Sequence, residues 1–585
     1  MRKTVKHTII LGQVILWLAM AAVTWAGQEP EESVVPDSGM PGAVERSLKE
    51  REIPAHSRLP EISVQDEQSA VFKGGEGVTF RLSKIRFEGQ RVFADQDLQE
   101  VVAPYVGQTM EVSALKEVTD EVTRFYKENG YFLSRAYVPP QCIKEGEVLI
   151  KVREGRLGEI IIRGNKRYSR ELLRNTLKVI RGEGAVRTAD VERGLLLLTD
   201  IPGLNVKATF KPGERPGTSD IVLDVTEDRM FSIGADFNNY GSEYVSGERY
   251  GVNAQARNLM GFGDLLSVRG VTGNEGLDGL FYGRAEYSMA LGSKGLRAGI
   301  HYEHLKYELG EELTILNFAG HVRQGGVFLS YPIIRSRYLN WNVQGGLTGK
   351  NVKNEIDDQM TGKDKLRYGH LGTSVQWLDT WGGSNFVSLT GYQNFPSVLG
   401  GMPEGYQNTV RFDTETVYSK LEVDAQRIQQ IPFGGLVLML YGHGQYSADR
   451  VPSSEQIFLG GAGSVRGYDQ AEFSGDTGYY VTTELRIPIP GTRNLHWFGS
   501  RKTVWETLQI AGFMDYGYAS INDPYPSEMS EDNTDMCGAG AGLRFTYSPY
   551  VRFKLDWAKS IGGDTPKDRD VEDDGVWYVQ VALQY

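Results

Sequence analysis

The chain is 585 residues long, more than one compact domain needs, and its formal net charge of -12 argues against a general nucleic-acid-binding or anionic-lipid-binding surface. Hydrophobic residues make up only 40% beside 70 Gly, 30 Tyr, 23 Phe and 9 Trp. With a mean hydropathy of -0.35, that mixture suits a membrane β-barrel, whose strands are apolar on one face only.

Arg2, Lys3 and Lys6 precede an apolar run from Ile9 to Val23, and Thr24-Trp25-Ala26 ends on a small residue, so residues 1–26 read as an export signal. No later apolar run reaches the roughly 18 residues of a membrane helix, which leaves any spanning to strands. Residues 27–77 are rich in Pro, Glu, Ser and Gly and cannot form a core of their own. A short helix from Gly42 to Glu52 makes this segment a tether, a plug of the pore, or both.

Residues 78–155 change character. Phe80 to Phe87 alternates as a strand, Asp95 to Tyr105 and Ser113 to Asn129 have helical spacing, Gly130 breaks the pattern, and strands follow at Tyr131 to Val138 and Glu147 to Arg153. This βααββ order recurs over 156–228, with strands at Gly158 to Arg163, Val206 to Phe210 and Asp220 to Thr226, and helices at Ser169 to Leu177 and Thr188 to Thr199. Tandem repeats of this kind make binding arms.

From residue 229 to Tyr585 the texture is strand alternation, such as Val551, Phe553, Leu555 and Trp557 against Arg552, Lys554 and Asp556. Arg284, Glu286, Glu484, Arg486, Asp515 and Arg544 fall on the polar face, which implies a hydrated lumen with the apolar face toward lipid. At about 22 residues per strand and loop, the segment accommodates about 16 antiparallel strands. Its last strand carries Trp577, Val579, Val581, Leu583 and Tyr585 outward, and the stretch from Pro488 to Trp505 is long for a periplasmic turn.

The chemistry-bearing candidates are few. Cys142 and Cys537 lack a spaced partner for zinc or a disulfide framework. Gly461 to Gly467 lacks the Lys-Ser/Thr ending and the βαβ setting of a phosphate loop. His301 and His304, three apart on a strand, point to opposite faces. The acidic group Asp568, Asp570, Glu572, Asp573 and Asp574 reads as a solvated outer loop ahead of a calcium site. No nucleophile, base and orienting group converge, so no enzyme activity, cofactor or metal is expected.

Four motifs remain in order along the chain. Gly130-Tyr131-Phe132-Leu133-Ser134-Arg135-Ala136-Tyr137-Val138-Pro139-Pro140-Gln141, with Gly146 and Val152-Arg153-Glu154-Gly155, resembles the first POTRA domain of two-partner secretion transporters, the haemolysin and adhesin secretion family. Asn258 to Asp264 resembles that family's early barrel hairpin, Val465-Arg466-Gly467-Tyr468 its signature in a loop folded back into the lumen (about 459–477), and Phe513-Met514-Asp515-Tyr516-Gly517 a motif of a later strand. The resemblance implies a transmembrane β-barrel preceded by two periplasmic POTRA domains, with Arg466 reaching the inner-wall carboxylate of Asp515.

It also implies a monomer in the outer membrane that takes a large unfolded exoprotein from the periplasm and moves it to the surface without ATP. Its partners would be that exoprotein, outer-membrane lipid and, during biogenesis, the barrel assembly machinery, with no nucleic acid. The rival readings are a barrel-assembly factor of the same superfamily and a diffusion porin, and the two-unit arm after a Pro-rich leader disfavours both.

Overall fold

In the computed structural model of the protein, the described residues are 35–49, 60–64, 77–180, 184–497, 499–524, 532–563 and 575–585. The export signal and the acidic group from Asp568 to Asp574 lie outside them.

The first arm unit carries β2 (Thr79–Arg81), β3 (Lys84–Glu88), β4 (Thr109–Glu111), β5 (Arg135–Tyr137) and β6 (Glu147–Arg153), preceded in the chain by β1 (Ile62–Val64). The order β3-β6-β5 puts β3 parallel and β5 antiparallel to β6. Helices Asp95–Val102 and Leu115–Glu128 cover one face, where Leu98, Val118, Val122 and Tyr126 meet Ile85 and Ile150. These positions recur at the 3.6-residue period of an amphipathic helix on one side and the two-residue period of a strand on the other.

The expected strand from Tyr131 is shorter than its sequence pattern. Residues 131–134 close a turn, with Ser134 N donating to the Tyr131 carbonyl at 3.0 Å. The Gly130 carbonyl accepts from both the N–H and the hydroxyl of Thr188, at 2.8 and 2.9 Å. Phe132 stands edge-on to Phe210, 5.2 Å between centroids. Contacts to the second unit therefore take the place of sheet pairing here.

That second unit has β7 (Arg156–Arg163), helices Arg170–Thr176 and Thr188–Thr199, β8 (Leu204–Pro212) and β9 (Thr218–Glu227). Ser169 caps the first helix by accepting from Leu172 N at 3.1 Å. Its sheet has the order β1-β8-β9-β7, so the segment between lumenal helix and arm supplies an edge strand to this unit, parallel to β8.

The rest closes into an antiparallel barrel of sixteen strands. They are β10 (Phe231–Asn238), β11 (Arg249–Arg257), β12 (Leu265–Gly273), β13 (Leu280–Leu291), β14 (Leu296–Glu308), β15 (Phe318–Arg335), β16 (Leu339–Ile356), β17 (Gln359–Leu378), β18 (Gly383–Asn394), β19 (Ser419–Gln430) and β20 (Val437–Ser447). After the lumenal hairpin β21 (Ile457–Leu459) and β22 (Phe473–Gly475) come β23 (Thr477–Pro488), β24 (Leu508–Ser520), β25 (Asn533–Tyr547), β26 (Val551–Gly563) and β27 (Val576–Gln584). Consecutive strands pair, and β27 returns to β10. Closure is the only way for strands to satisfy every backbone donor and acceptor in hydrocarbon.

The long connection after Pro488 holds a helical turn, Val504–Thr507, whose Thr503 and Glu506 form a reciprocal capping box. The arm docks on the same end of the barrel. Arg335, at the foot of β15, holds Asp200 with two bonds of 2.8 and 2.5 Å, and Arg193 donates to the Pro332 and Ile333 carbonyls. This end therefore faces the periplasm. Asp200→Ala should weaken that docking by on the order of 1 kcal/mol, since Asp200 keeps solvent contact. Limited proteolysis of the detergent-solubilised protein around residues 228–230 should become faster, and an unchanged rate would assign the docking to apolar packing instead.

Candidate functional site

The lumen holds two guests, and both are fixed by charge. The first is the hairpin β21–β22, whose tip is Val465-Arg466-Gly467-Tyr468. Arg466 is only 4% exposed, and its guanidinium donates to both oxygens of Asp515 on β24, Nε at 2.7 Å and Nη2 at 2.9 Å. The Arg466 backbone N–H adds a third bond to Asp515 at 3.1 Å. Nη1 reaches Asp556 on β26 at 2.9 Å, and Glu484 on β23 lies 3.5 Å away. The Phe513 ring lies 3.4 Å beneath the guanidinium carbon. Such a flat, five-donor cation suits two carboxylates and an aromatic face together, which an ammonium cannot match.

The charges balance locally. Arg544 bridges Glu484 and Asp556, and Lys554 stands 3.1 Å from Asp556. A dense ion network of this kind is tolerated away from bulk water because each member is paired and hydrogen-bonded. Asp556 and Arg544 are parts of the site that the motif matches did not single out. Their signal lay in the inward parity of their strands.

The neighbours of Arg466 also have roles. Gly467 has φ +97° and packs on the backbone of Lys559 and Ser560. A Cβ at Gly538 would stand 1.8 Å from the Arg466 carbonyl, so only glycine lets β25 pass the loop tip. Tyr468 donates to the Gly562 carbonyl at 2.6 Å, and Tyr578 accepts from Gly467 N at 3.1 Å. Val465 packs beside Gly517, in a buried cluster with Leu459 and Phe473.

The second guest is the helix Pro41–Leu48, inside the barrel. Val44 and Leu48 pack on Tyr282, Leu305, Tyr307 and Val322 of the inner wall. Glu45 pairs with Lys350 at 2.7 Å and with Lys49 at 2.6 Å, while Lys350 also holds Glu455, just before β21, at 3.1 Å. The expected helix to Glu52 stops at Leu48. Arg249 takes the Ser47 carbonyl at 3.1 Å, the acceptor that the next helical turn would use, and Lys49 turns to extended backbone with ψ 118°.

On the arm, Pro139 and Pro140 follow β5, where neither can donate to a sheet. Gln141 continues the pairing with its side chain instead, its Nε2 donating to the Leu149 carbonyl at 2.7 Å and its Oε1 accepting from Leu149 N at 2.8 Å. Tyr131 packs edge-on to Phe93 and Tyr126. Gly130 joins the two units as described. These arm residues lie far from the Arg466 site in the fold, on the periplasmic side. Cys142 and Cys537 are both free thiols, and among the described residues no group of three His, Cys, Asp or Glu could hold a metal ion.

A closed barrel with lumenal guests and a periplasmic two-unit arm defines an outer-membrane protein of the POTRA-barrel class. Residues 217–545, more than half of the chain, match the family described as Haemolysin secretion/activation protein ShlB/FhaC/HecB, and residues 80–155 match the ShlB-type POTRA domain. The chain belongs to that family, the two-partner secretion transporters of the outer membrane. The heme/hemopexin transporter protein HuxB of Haemophilus influenzae is 23% identical over 574 residues, covering 96% of each chain. The outer membrane transporter CdiB of Escherichia coli is 25% identical over 531 residues, covering 86% of this chain and 82% of its own. The solved structure of CdiB from Escherichia coli shares the fold, with a TM-score of 0.68 at 21% identity over 90% of this chain and 94% of that one.

Two outcomes follow from the charges. Arg466→Ala strands Asp515 in a buried site, at a cost of about 3 to 5 kcal/mol, while Asp556 keeps Arg544 and Lys554. Proteases added outside cells should then cut within residues 460–472, and Arg466→Lys should give little protection because it cannot bridge both carboxylates. Persistent resistance in both variants would show that apolar packing alone fixes the loop.

Burial alone pushes the Glu45 carboxyl up, but Lys350 and Lys49 outweigh it and hold it at about 2, below its ordinary 4.5. A depressed carboxyl stabilises the docked helix above the ordinary value, and that contribution fades as pH falls from about 4.5 through about 2. A spin label on the helix should gain mobility over this range, and Glu45→Gln should flatten the response.

Proposed function

We propose that this transporter receives an unfolded exoprotein at the sheet edges of its POTRA arm and passes it through the barrel lumen as the helix Pro41–Leu48 withdraws. The hairpin carrying Arg466 stays on the wall during passage and shapes the conduit. No nucleotide motif is present in the sequence, so the free energy comes from elsewhere, most directly from folding of the exported chain outside. The transporter works as a monomer, and the barrel assembly machinery inserts it with Tyr585 as the terminal aromatic residue. Among the relatives, HuxB is named for heme/hemopexin transport and ShlB of Serratia marcescens for hemolysin transport, which supports a large secreted protein as the cargo.

The observation that carries the arm's role is the pairing of β1 with β8. Ile62, Ser63 and Val64 lie in register with Ala208, Thr209 and Phe210. The second unit thus takes up an extended segment of unrelated composition by backbone pairing, with little demand on side chains. That is the chemistry by which an edge accepts an unfolded polypeptide. The cargo would displace β1 or use the matching edge of the first unit, and freeing β1 would slacken the tether of the lumenal helix.

The test is coexpression with the large exoprotein encoded beside this transporter. In a Cys142→Ser background, Ser63→Cys with Thr209→Cys should form a disulfide, since the two native hydroxyls are 3.0 Å apart. Partner protein should accumulate in the medium with the unmodified transporter, fall to a small fraction when the strand is locked, and return with reductant. Full secretion through the locked form would refute strand exchange at β8. Loss of other outer-membrane barrels on depletion, with no effect on the partner, would point to barrel assembly instead. Deleting residues 28–60 should raise ion conductance of the purified protein in planar bilayers, and an unchanged conductance would remove the helix as a barrier.

A further inference from the structure

The outer face of β14–β17 carries a cationic patch that the net charge conceals. On β17 the even positions Asp364, Leu366 and Tyr368 are buried in the lumen, so Lys363, Lys365 and Arg367 point outward. Cross-strand pairing places Lys365 opposite Asn351, Asn351 opposite Arg323, and Lys363 directly opposite Lys353. Lys353 has Glu355 as a partner. Among the described residues no carboxylate pairs with Arg323, Lys363, Lys365 or Arg367, and Arg367 meets only neutral oxygens of Asn351 and nearby carbonyls. Like charges opposite one another weaken a sheet, and an outside anion relieves that.

Depth in the membrane follows from the same strands. The arm touches the foot of β15 at Pro332 and Arg335, whereas Arg323 stands toward the opposite end. The cations are therefore on the extracellular side. Four residues closer to the periplasm the outward row is Ile300, Val327 and Leu347, exposed by 57, 50 and 62%, in the apolar band that meets lipid. The patch thus lies at the head-group level of the outer leaflet.

Beside and below the cations runs a groove of about 840 Å³ on this same face. Its floor is glycine: Gly369 pairs with Leu347 and Gly391 with Leu371 and Leu421, so side chains are missing where neighbouring strands carry Leu. Phe395 and Tyr446 form its far wall. The loop tip Val398–Gly400 leans toward it, with the Leu399 carbonyl accepting from Arg367 Nε at 3.2 Å.

We propose that this patch and groove bind one phosphorylated, acylated lipid of the outer leaflet, its phosphates on Arg323, Lys363, Lys365 and Arg367 and an acyl chain over Gly369 and Gly391. Cations supply the attraction for the head group and the groove the discrimination for a chain-bearing ligand. A lipid held there would brace the tall β15–β17 wall opposite the closing seam.

The test uses the full chain in phosphatidylcholine nanodiscs titrated with lipid A, bound lipid being counted by native mass spectrometry. At roughly fivefold in affinity per cation near an anionic head group, the Arg323→Gln, Lys363→Gln, Lys365→Gln variant should bind about 100-fold more weakly. Gly391→Leu fills the groove without touching a charge, since the space over Gly391 is open. It should lower lipid A binding while leaving any competition by inorganic phosphate unchanged. Heat-modifiable gel mobility checks that both variants remain folded barrels. Wild-type binding by the triple variant would overturn the proposal. So would full displacement by inorganic phosphate together with wild-type binding by Gly391→Leu, which would reduce the patch to a simple anion site.

Discussion

The requirement that no backbone polar group be left unpaired in hydrocarbon governs this molecule. It forces β27 back onto β10, and that seam is the shortest commitment in the barrel. It runs only from Gly234 opposite Gln584 to Asn238 opposite Gln580, whereas β16 and β17 pair along their whole length from Leu339 opposite Trp377 to Ile356 opposite Gln359. Side chains reinforce the seam, with Asn239 bonding both the Trp577 carbonyl and Val579 N, and Arg229 over the Tyr585 ring at 4.6 Å. Closure also dictates the lumen. Strands that show lipid an apolar face turn charged residues inward, and those charges need partners once guests exclude water.

The two guests meet that need differently. The hairpin brings one arginine into a wall already rich in carboxylates, and Asp515, Asp556 and Glu484 are reconciled by Arg466, Arg544 and Lys554 together. The helix Pro41–Leu48 brings charges of both signs, and each finds its complement on the wall or on the stem of the hairpin. A loop held by one multiply shared cation is difficult to move in parts. A helix held by several separate pairs is easier to peel away.

Much of this was legible in the sequence because barrel strands advertise themselves by parity. Val551, Phe553, Leu555 and Trp557 face outward for the same reason that Asp556 faces in, and the switch from helical to alternating periodicity separates arm from barrel. The Arg466 loop was visible through its glycines and its motif. Illegible were features whose cause lies far away in the chain. Nothing local makes Ile62–Val64 a strand; β8 does. Nothing local stops the lumenal helix at Leu48; Arg249 does, across the pore. The turn at residues 131–134 looks like strand because Tyr131 and Phe132 are good strand formers, yet Thr188 claims the carbonyl of Gly130 just before it and Phe210 claims Phe132. Asp556 looks like one more polar position in the sequence because periodicity gives a residue's face and not its partner.

The sharing of Lys350 has a consequence for where change is tolerated. This wall lysine touches both Glu45 on the helix and Glu455 on the hairpin stem, and Glu455 in turn holds Lys420 at 2.9 Å. When the helix departs, Lys350 keeps Glu455, Glu422 keeps Lys420 and Glu303 keeps Arg284, so these wall charges stay paired. The helix takes the Glu45 carboxylate and Lys49 into water, where ions are at ease. The vacated barrel is thus a finished structure, able to stand open for as long as a chain occupies it and to take the helix back unaltered. Sequence drift should fall on the traveller, with Glu45 free to vary in step with Lys49, while Lys350, Glu455 and Lys420 stay bound to one another's identity.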